Sequence, residues 1–256
     1  GMVGVYTINP TGSGSTNYLS FTAAITALQS CGVGGPVVFN VSASTYNEQI
    51  SIPNINGTSA TNTITFDGGT GNVSTRIIAY ATTNALPYVV RFNNSKFITF
   101  RNITIRSTGT TDAWVAHFLD GSNNTISNCV IEIAGAGATS TNSNMAAVVA
   151  NGNATTISTT STVSSNNTVD SCTLNAGYYS VYANINASSN IFNVTNSTLN
   201  SAYYYGVYGI NTFSLRLKGN TINTRTATTA TQAVYLQSLN NSGSDYFEIS
   251  GNRIIN

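Results

Sequence analysis

One recurring motif constrains the fold of this chain more than any other feature. Six segments share the form apolar-x-apolar-x-small-small-x-apolar. They are residues 97–105 (FITFRNITI), 124–133 (NTISNCVIEI), 167–174 (NTVDSCTL), 192–199 (FNVTNSTL), 215–222 (LRLKGNTI) and 247–254 (FEISGNRI). Apolar residues two apart turn one strand face inward. The next apolar residue comes five later, as from Leu217 to Ile222 or Ile249 to Ile254. An odd offset cannot stay on one face of a continuous strand, so the chain bends in between. The small pairs align at Arg101-Asn102, Asn128-Cys129, Ser171-Cys172, Asn196-Ser197, Gly219-Asn220 and Gly251-Asn252. Their first member is twice Gly and twice Asn, types that tolerate a left-handed bend. Their second member is small and polar, suited to an internal ladder that bonds turn backbone when coils stack.

A second strand follows each of five motifs: residues 113–118 (AWVAHF), 146–149 (AAVV), 180–183 (SVYA), 206–209 (GVYG) and 233–236 (AVYL). The Ser/Thr/Asn-rich stretches 136–144 and 152–165 read as loops on the outside of a solenoid. The irregular motif spacing argues against a propeller, which repeats about every 40 residues. The expected fold is all-β: a single-stranded, right-handed parallel β-helix, with an antiparallel β fold as the alternative. It takes in residues 1–256, with a cap over roughly 1–35. Within that cap Leu19, Phe21, Ala24, Ile25 and Leu28 have near-helical spacing, Asn17 or Ser20 is placed to cap, and Cys31-Gly32 to stop. Strands are expected at 37–41, 45–52 and 63–66.

Charged residues are 7% of the 256, against roughly a quarter in ordinary domains. Disorder does not follow, because 41% are hydrophobic and 10% aromatic, with 14 Tyr. A surface of hydroxyls and carboxamides leans extracellular: secreted or cell-surface. The formal charge of +1 and scattered Lys and Arg give no field for nucleic acid. No apolar stretch approaches the ~20 residues of a membrane span. No signal peptide is present, and Gly1-Met2 reads as a cleavage scar with an introduced residue, so the natural start is expected to have been removed. The final motif lacks a following cap, so the chain is expected to be the N-terminal portion of a longer protein, with end-to-end contact through its last coil. Three Cys and one His make no zinc site of the usual kind. Cys129 and Cys172 share a ladder position and are expected to be stacked free thiols.

Residues 21–28, then Gly35-Pro36-Val37-Val38-Phe39-Asn40-Val41, then Thr45-Tyr46-Asn47-Glu48-Gln49-Ile50, resemble the N-terminal cap and first coil of the pectin lyase-like superfamily. Pectin methylesterases open similarly, with a helix, a buried strand and a Tyr-x-Glu element. The later motifs look like the parallel β-helix repeats of secreted bacterial surface proteins. The resemblance implies a fold shared by many functions. The esterases' catalytic motifs take the forms Gln-Ala-Val-Ala, Gln-Asp-Thr-Leu and Val-Asp-Phe-Ile-Phe. Gln232-Ala233-Val234 matches a fragment of the first, late in the chain. None of the catalytic residues carries over.

Asp112, Trp114, His117 and Asp120 form the densest functional-looking group. His117 beside Asp112 or Asp120 has the makings of a general base, while the plainer reading is a packed Trp and a hydrogen-bonded His. Strand alternation sends Trp114 and His117 to opposite faces. Arg91, Lys96, Arg101 and Arg106 would line a cleft for an acidic sugar, or else be solvated charges. Tyr182, Tyr208 and Tyr235 recur at one motif position, inside a cluster with Tyr178, Tyr179 and Tyr203 to Tyr205. Outward, they form an aromatic strip suited with Trp114 to neutral sugars; inward, they are core. Asn-x-Ser/Thr sequons are too frequent in this composition to mark glycosylation.

The expected role is a non-catalytic extracellular or cell-surface β-helix displaying loops and a neutral polar face to polysaccharide or surface glycan, without cofactor or metal. The alternative is a polysaccharide lyase, hydrolase or esterase, with Asp112, His117, Asp120 and Arg101 as the residues to converge.

Overall fold

A computed structural model describes residues 1–134, 141–186, 191–212, 214–225, 231–239 and 246–256. The strands form three parallel sheets of ten, eight and seven strands. A coil visits each in turn, for example through Ile98–Arg101, Thr104–Ser107 and Ala113–Leu119. Each strand pairs in register with its equivalent one coil away: Ile126 lies between Phe100 and Val169, and Val148 between Ala116 and Val181. This is the expected parallel β-helix. Inward side chains stack into columns, among them Phe39–Phe66–Phe100, with centroids 5.0 and 4.7 Å apart, and Phe92–Phe118 at 4.7 Å.

The corner between first and second sheets carries the predicted left-handed residue. Asn102, Asn128, Ser171, Asn196, Gly219 and Gly251 have φ of 58°, 51°, 54°, 49°, 66° and 63°. In the earliest motif the alignment was one residue off: Asn102 is the bend and Ile103, not Asn102, points inward behind it. The internal ladder is real. The Cys172 amide donates to Ser197 Oγ at 3.0 Å, Ser197 to Asn220 Oδ1 at 2.9 Å, and Asn220 to Asn252 Oδ1 at 2.9 Å. Asn220 Nδ2 also donates to the Val194 carbonyl at 2.8 Å, and Asn252 Nδ2 to that of Leu217 at 2.7 Å. Cys129 and Cys172 continue the column as buried free thiols, and burial pushes the Cys172 thiol well up. A second ladder occupies the corner from third to first sheet. There the Asn167 carboxamide accepts from the Asn124 amide at 3.1 Å, and Asn124 from that of Ile98 at 3.2 Å.

The helix spans Phe21–Cys31, later than the spacing suggested, because Asn17–Tyr18 pairs with an unforeseen N-terminal strand, Met2–Ile8. Leu19 is therefore exposed. Ser20 Oγ accepts from the Ala23 amide at 3.0 Å, and Gly32, at φ 62°, ends the helix. Phe21, Ala24, Ile25 and Leu28 close the first coil. The expected strand 45–52 is two strands on different sheets, Ser44–Asn47 and Ile50–Ile52. Between them Glu48 turns its carboxylate onto the helix N-terminus and accepts from the amides of Phe21 and Thr22 at 3.0 and 2.8 Å. The strand at 37–41 is longer, Val33–Val41, and carries Gly34-Gly35-Pro36 with it.

Truncating Asn220 to Ala strands the Ser197 amide and the Val194 carbonyl. Asn220→Ala is expected to cost about 2–4 kcal/mol in urea unfolding, whereas Thr221→Ala on the outer face stays within about 0.5 kcal/mol. Equal losses would contradict the ladder's role.

Candidate functional site

The longer strands of the third sheet, among them Tyr88–Asn93, Ala113–Leu119 and Met145–Asn151, bend partway. Val89 and Val90, Val115 and Ala116, and Ala147 and Val148 all join the main core, so two successive residues face inward. Their flanking residues, three apart, then share the outer face. Trp114 and His117 are such a pair, in edge contact at 5.0 Å, which corrects the expectation that they diverge. Tyr179 and Tyr182 repeat the contact at 5.1 Å, Tyr205 and Tyr208 at 5.0 Å, and Arg91 lies 3.6 Å over the Tyr88 ring. The bend suits small residues: a Cβ on Gly206 would lie 2.5 Å from the Ala233 carbonyl oxygen.

The tyrosines thus face outward and form a second apolar cluster separate from the core. Tyr182, Tyr208 and Tyr235 stack at 5.3 and 5.1 Å, with planes within 9° and 13°. Tyr179 and Tyr205 form a parallel column at 5.5 Å, and Tyr178 and Tyr204 another at 5.6 Å. Tyr205, Tyr208 and Tyr235 are half-buried, while Tyr179 and Tyr182 are buried and Trp114 has no exposed surface. Burial raises the Tyr182 phenol to about 12, reinforced by Tyr208.

The 152–165 segment, here called the strap, lies against this outer cluster. Ile157 packs on the cluster. Arg91 Nη2 donates to the Ala154 carbonyl at 2.8 Å, Asn151 Nδ2 to those of Thr156 and Ile157 at 3.2 and 3.1 Å, and Asn184 Nδ2 to that of Ser158 at 2.8 Å. His117 links the anchors. Arg91 Nε donates to His117 Nδ1 at 3.1 Å, so Nε2 carries the proton and donates to Asn151 Oδ1 at 2.7 Å. Burial, reinforced by the Arg91 charge and partly opposed by Asn151, lowers its pKa to about 3. His117 is a neutral structural bridge with both nitrogens engaged. The other long stretch, 136–144, falls partly on positions 135–140, outside the described residues.

The remaining candidates do not converge. Asp112 and Asp120 stand at opposite ends of the strand Ala113–Leu119. Asp112 is buried and accepts from Asn142 and Asn144 at 2.9 and 3.3 Å. Asp120 accepts from Ser161 Oγ at 2.5 Å and lines an open pocket of about 340 Å³ with Asn54, Asn94, Lys96, Ser122 and Val163. Arg101 lies on the first sheet, ion-paired with Asp67 at 2.8 Å beside a pocket of about 430 Å³. Burial works to raise the Asp67 carboxyl, but hydrogen bonds from Asn102, the Gly69 amide and Arg101 hold it below the usual range. Arg106, on the second sheet, pairs with Glu132 at 2.5 Å. The four basic residues therefore spread over different faces and corners and make no cleft. Among the described residues no group of His, Cys, Asp and Glu is placed to hold a metal ion, and no helix is long and apolar enough to cross a membrane.

No family model and no curated protein matches the chain. Solved structures do. Escherichia coli YbhC superposes with a TM-score of 0.58 at 10% identity, over 91% of this chain and 70% of that one. A rice weevil pectin methyl esterase superposes with a TM-score of 0.54 at 14% identity, over 97% and 88%. The chain thus shares the parallel β-helix fold of these structures. At such identities the likeness is one of fold.

The His117 bridge predicts a pH effect. Its folded pKa, about 3, lies below the ordinary 6.5, so the unfolded chain holds the extra proton between those values. Stability is expected to fall by about 1.4 kcal/mol per pH unit as pH drops from about 6 to 4. His117→Gln, offering an oxygen to Arg91 and an N–H to Asn151, is expected to lessen that slope by one proton. Urea unfolding from pH 7 to 4 checks this; identical slopes would contradict the bridge.

Proposed function

We propose that this chain is a non-catalytic, secreted or cell-surface β-helix that binds neutral carbohydrate on the outer tyrosine face of its third sheet. One observation carries the reading. The strands Tyr179–Asn184, Tyr205–Ile210 and Gln232–Gln237 contain no Asp, Glu, Lys or Arg, yet bring five tyrosines to one face, of which Tyr205, Tyr208 and Tyr235 reach solvent. Phenol hydroxyls, with Gln and Asn carboxamides beside them, suit a hydroxylated, uncharged ligand. The buried Trp114 and Tyr182 belong to the same outer cluster and support this face. The rival, a polysaccharide-active enzyme, has Asp120 and Lys96 in one pocket in its favour. Asp112 and His117 are tied into structural hydrogen bonds away from that pocket.

Affinity electrophoresis in gels of neutral polysaccharides is expected to retard the protein, with Tyr208→Ala weakening retention about tenfold or more. Incubation with pectin, alginate and the retained polysaccharide is expected to release no products. Turnover that Asp120→Asn abolishes would overturn the non-catalytic reading.

A further inference from the structure

The tyrosine columns specify how a glycan lies on this face, an inference that rests on the face being a carbohydrate site. Successive rings in the Tyr182–Tyr208–Tyr235 column stand nearly parallel at 5.3 and 5.1 Å. Tyr205 stacks on Tyr179 the same way, at 5.5 Å. Ring faces so arranged cover one another, and no sugar fits between them. What the columns turn to solvent is ring edges and phenol hydroxyls. The Tyr208 hydroxyl donates to Gln237 Oε1 at 3.4 Å, a long bond that a sugar hydroxyl can replace. With Tyr182 buried, the solvent-facing part of this column is the two hydroxyls of Tyr208 and Tyr235, one coil apart along the solenoid axis, rather than a platform for stacking.

We infer that the ligand is an extended β-1,4-linked neutral glycan lying parallel to the solenoid axis, with two successive sugars hydrogen-bonded to Tyr208 and Tyr235. The period supports this linkage. A β-1,4-linked pyranose chain is straight and advances per residue by nearly the spacing of these rings, so successive sugars meet successive tyrosines in phase. An α-1,4-linked chain coils, and a β-1,3-linked chain winds into an open helix; neither sets successive sugars in line along the axis at this step. Alternate sugars of a β-1,4 chain turn opposite edges toward the protein. A phenol hydroxyl both donates and accepts, so either edge is served. The absence of charged residues from these strands leaves a uronate carboxylate without a partner among them, which favours a neutral chain.

The test is calorimetric titration of the protein with cellotetraose, mannotetraose, maltotetraose and laminaritetraose, repeated on Tyr208→Phe and Tyr235→Phe. At least one β-1,4-linked tetraose is expected to bind tenfold or more tighter than maltotetraose and laminaritetraose. Each Phe variant, folded by circular dichroism, is expected to lose roughly three- to tenfold in affinity, the worth of one hydroxyl hydrogen bond. Face stacking would leave the Phe variants unchanged. Equal binding of the α-1,4 or β-1,3 chains, or unchanged Phe variants, would overturn this inference while leaving a carbohydrate site. Binding of none of the four, together with no retention on any neutral polysaccharide, would overturn both.

Discussion

Every coil of this protein hydrogen-bonds in register to the coil on either side, and that constraint shapes nearly everything else. In-register parallel pairing puts each residue over its equivalent, so a choice made at one position is repeated in a column. Apolar columns become the core, as in Phe39–Phe66–Phe100. A small polar column behind the left-handed bend becomes the Ser197–Asn220–Asn252 ladder, each member serving its neighbour's backbone. Like charges stacked this way would repel at one-coil spacing, which gives a physical reason for a chain that is 7% charged. Three opposite-charge pairs do lie between adjacent coils: Asp67 with Arg101, Arg106 with Glu132, Lys218 with Glu248.

The same register makes the tyrosine face. Once a strand turns two successive residues inward, its flanking residues meet outside, and stacking carries the arrangement from coil to coil. The result grades along the axis. Around His117 the strap lies on the outer face, held by Arg91, Asn151 and Asn184. Farther along, Tyr205, Tyr208 and Tyr235 reach solvent. The buried imidazole fits that picture: its value lies in accepting from one side and donating to the other, which a charged ring cannot do.

The repeat motif was legible because Gly and Asn mark left-handed bends and an odd apolar offset has no other explanation. It misled by one residue at Asn102, where Ile103 fills a place that polar or small residues hold elsewhere, so the ladder has no member in that coil. The face of Trp114 was misread because alternation assumes a straight strand. The signal lay in Tyr179-Ser180-Val181-Tyr182 and Tyr205-Gly206-Val207-Tyr208, whose aromatic spacing of three is incompatible with one flat face. Glu48 on the helix N-terminus and Arg91–His117–Asn151 under the strap were out of reach. Each joins residues 26 or more positions apart, and no local pattern encodes such a contact. The tyrosine column was visible as a recurrence, but whether it lay inside or outside depended on the bend.

Residue-resolved hydroxyl-radical footprinting tests the outward register and the burial of the Trp114 end together. The account predicts strong labelling of Tyr205, Tyr208 and Tyr235 in the native protein, with Tyr179, Tyr182 and Trp114 protected until it unfolds. Protection of Tyr208 and Tyr235 to the level of Phe100 would place the column in the core and contradict the account; labelling of Trp114 as strong as that of Tyr208 would contradict the burial of that end of the face.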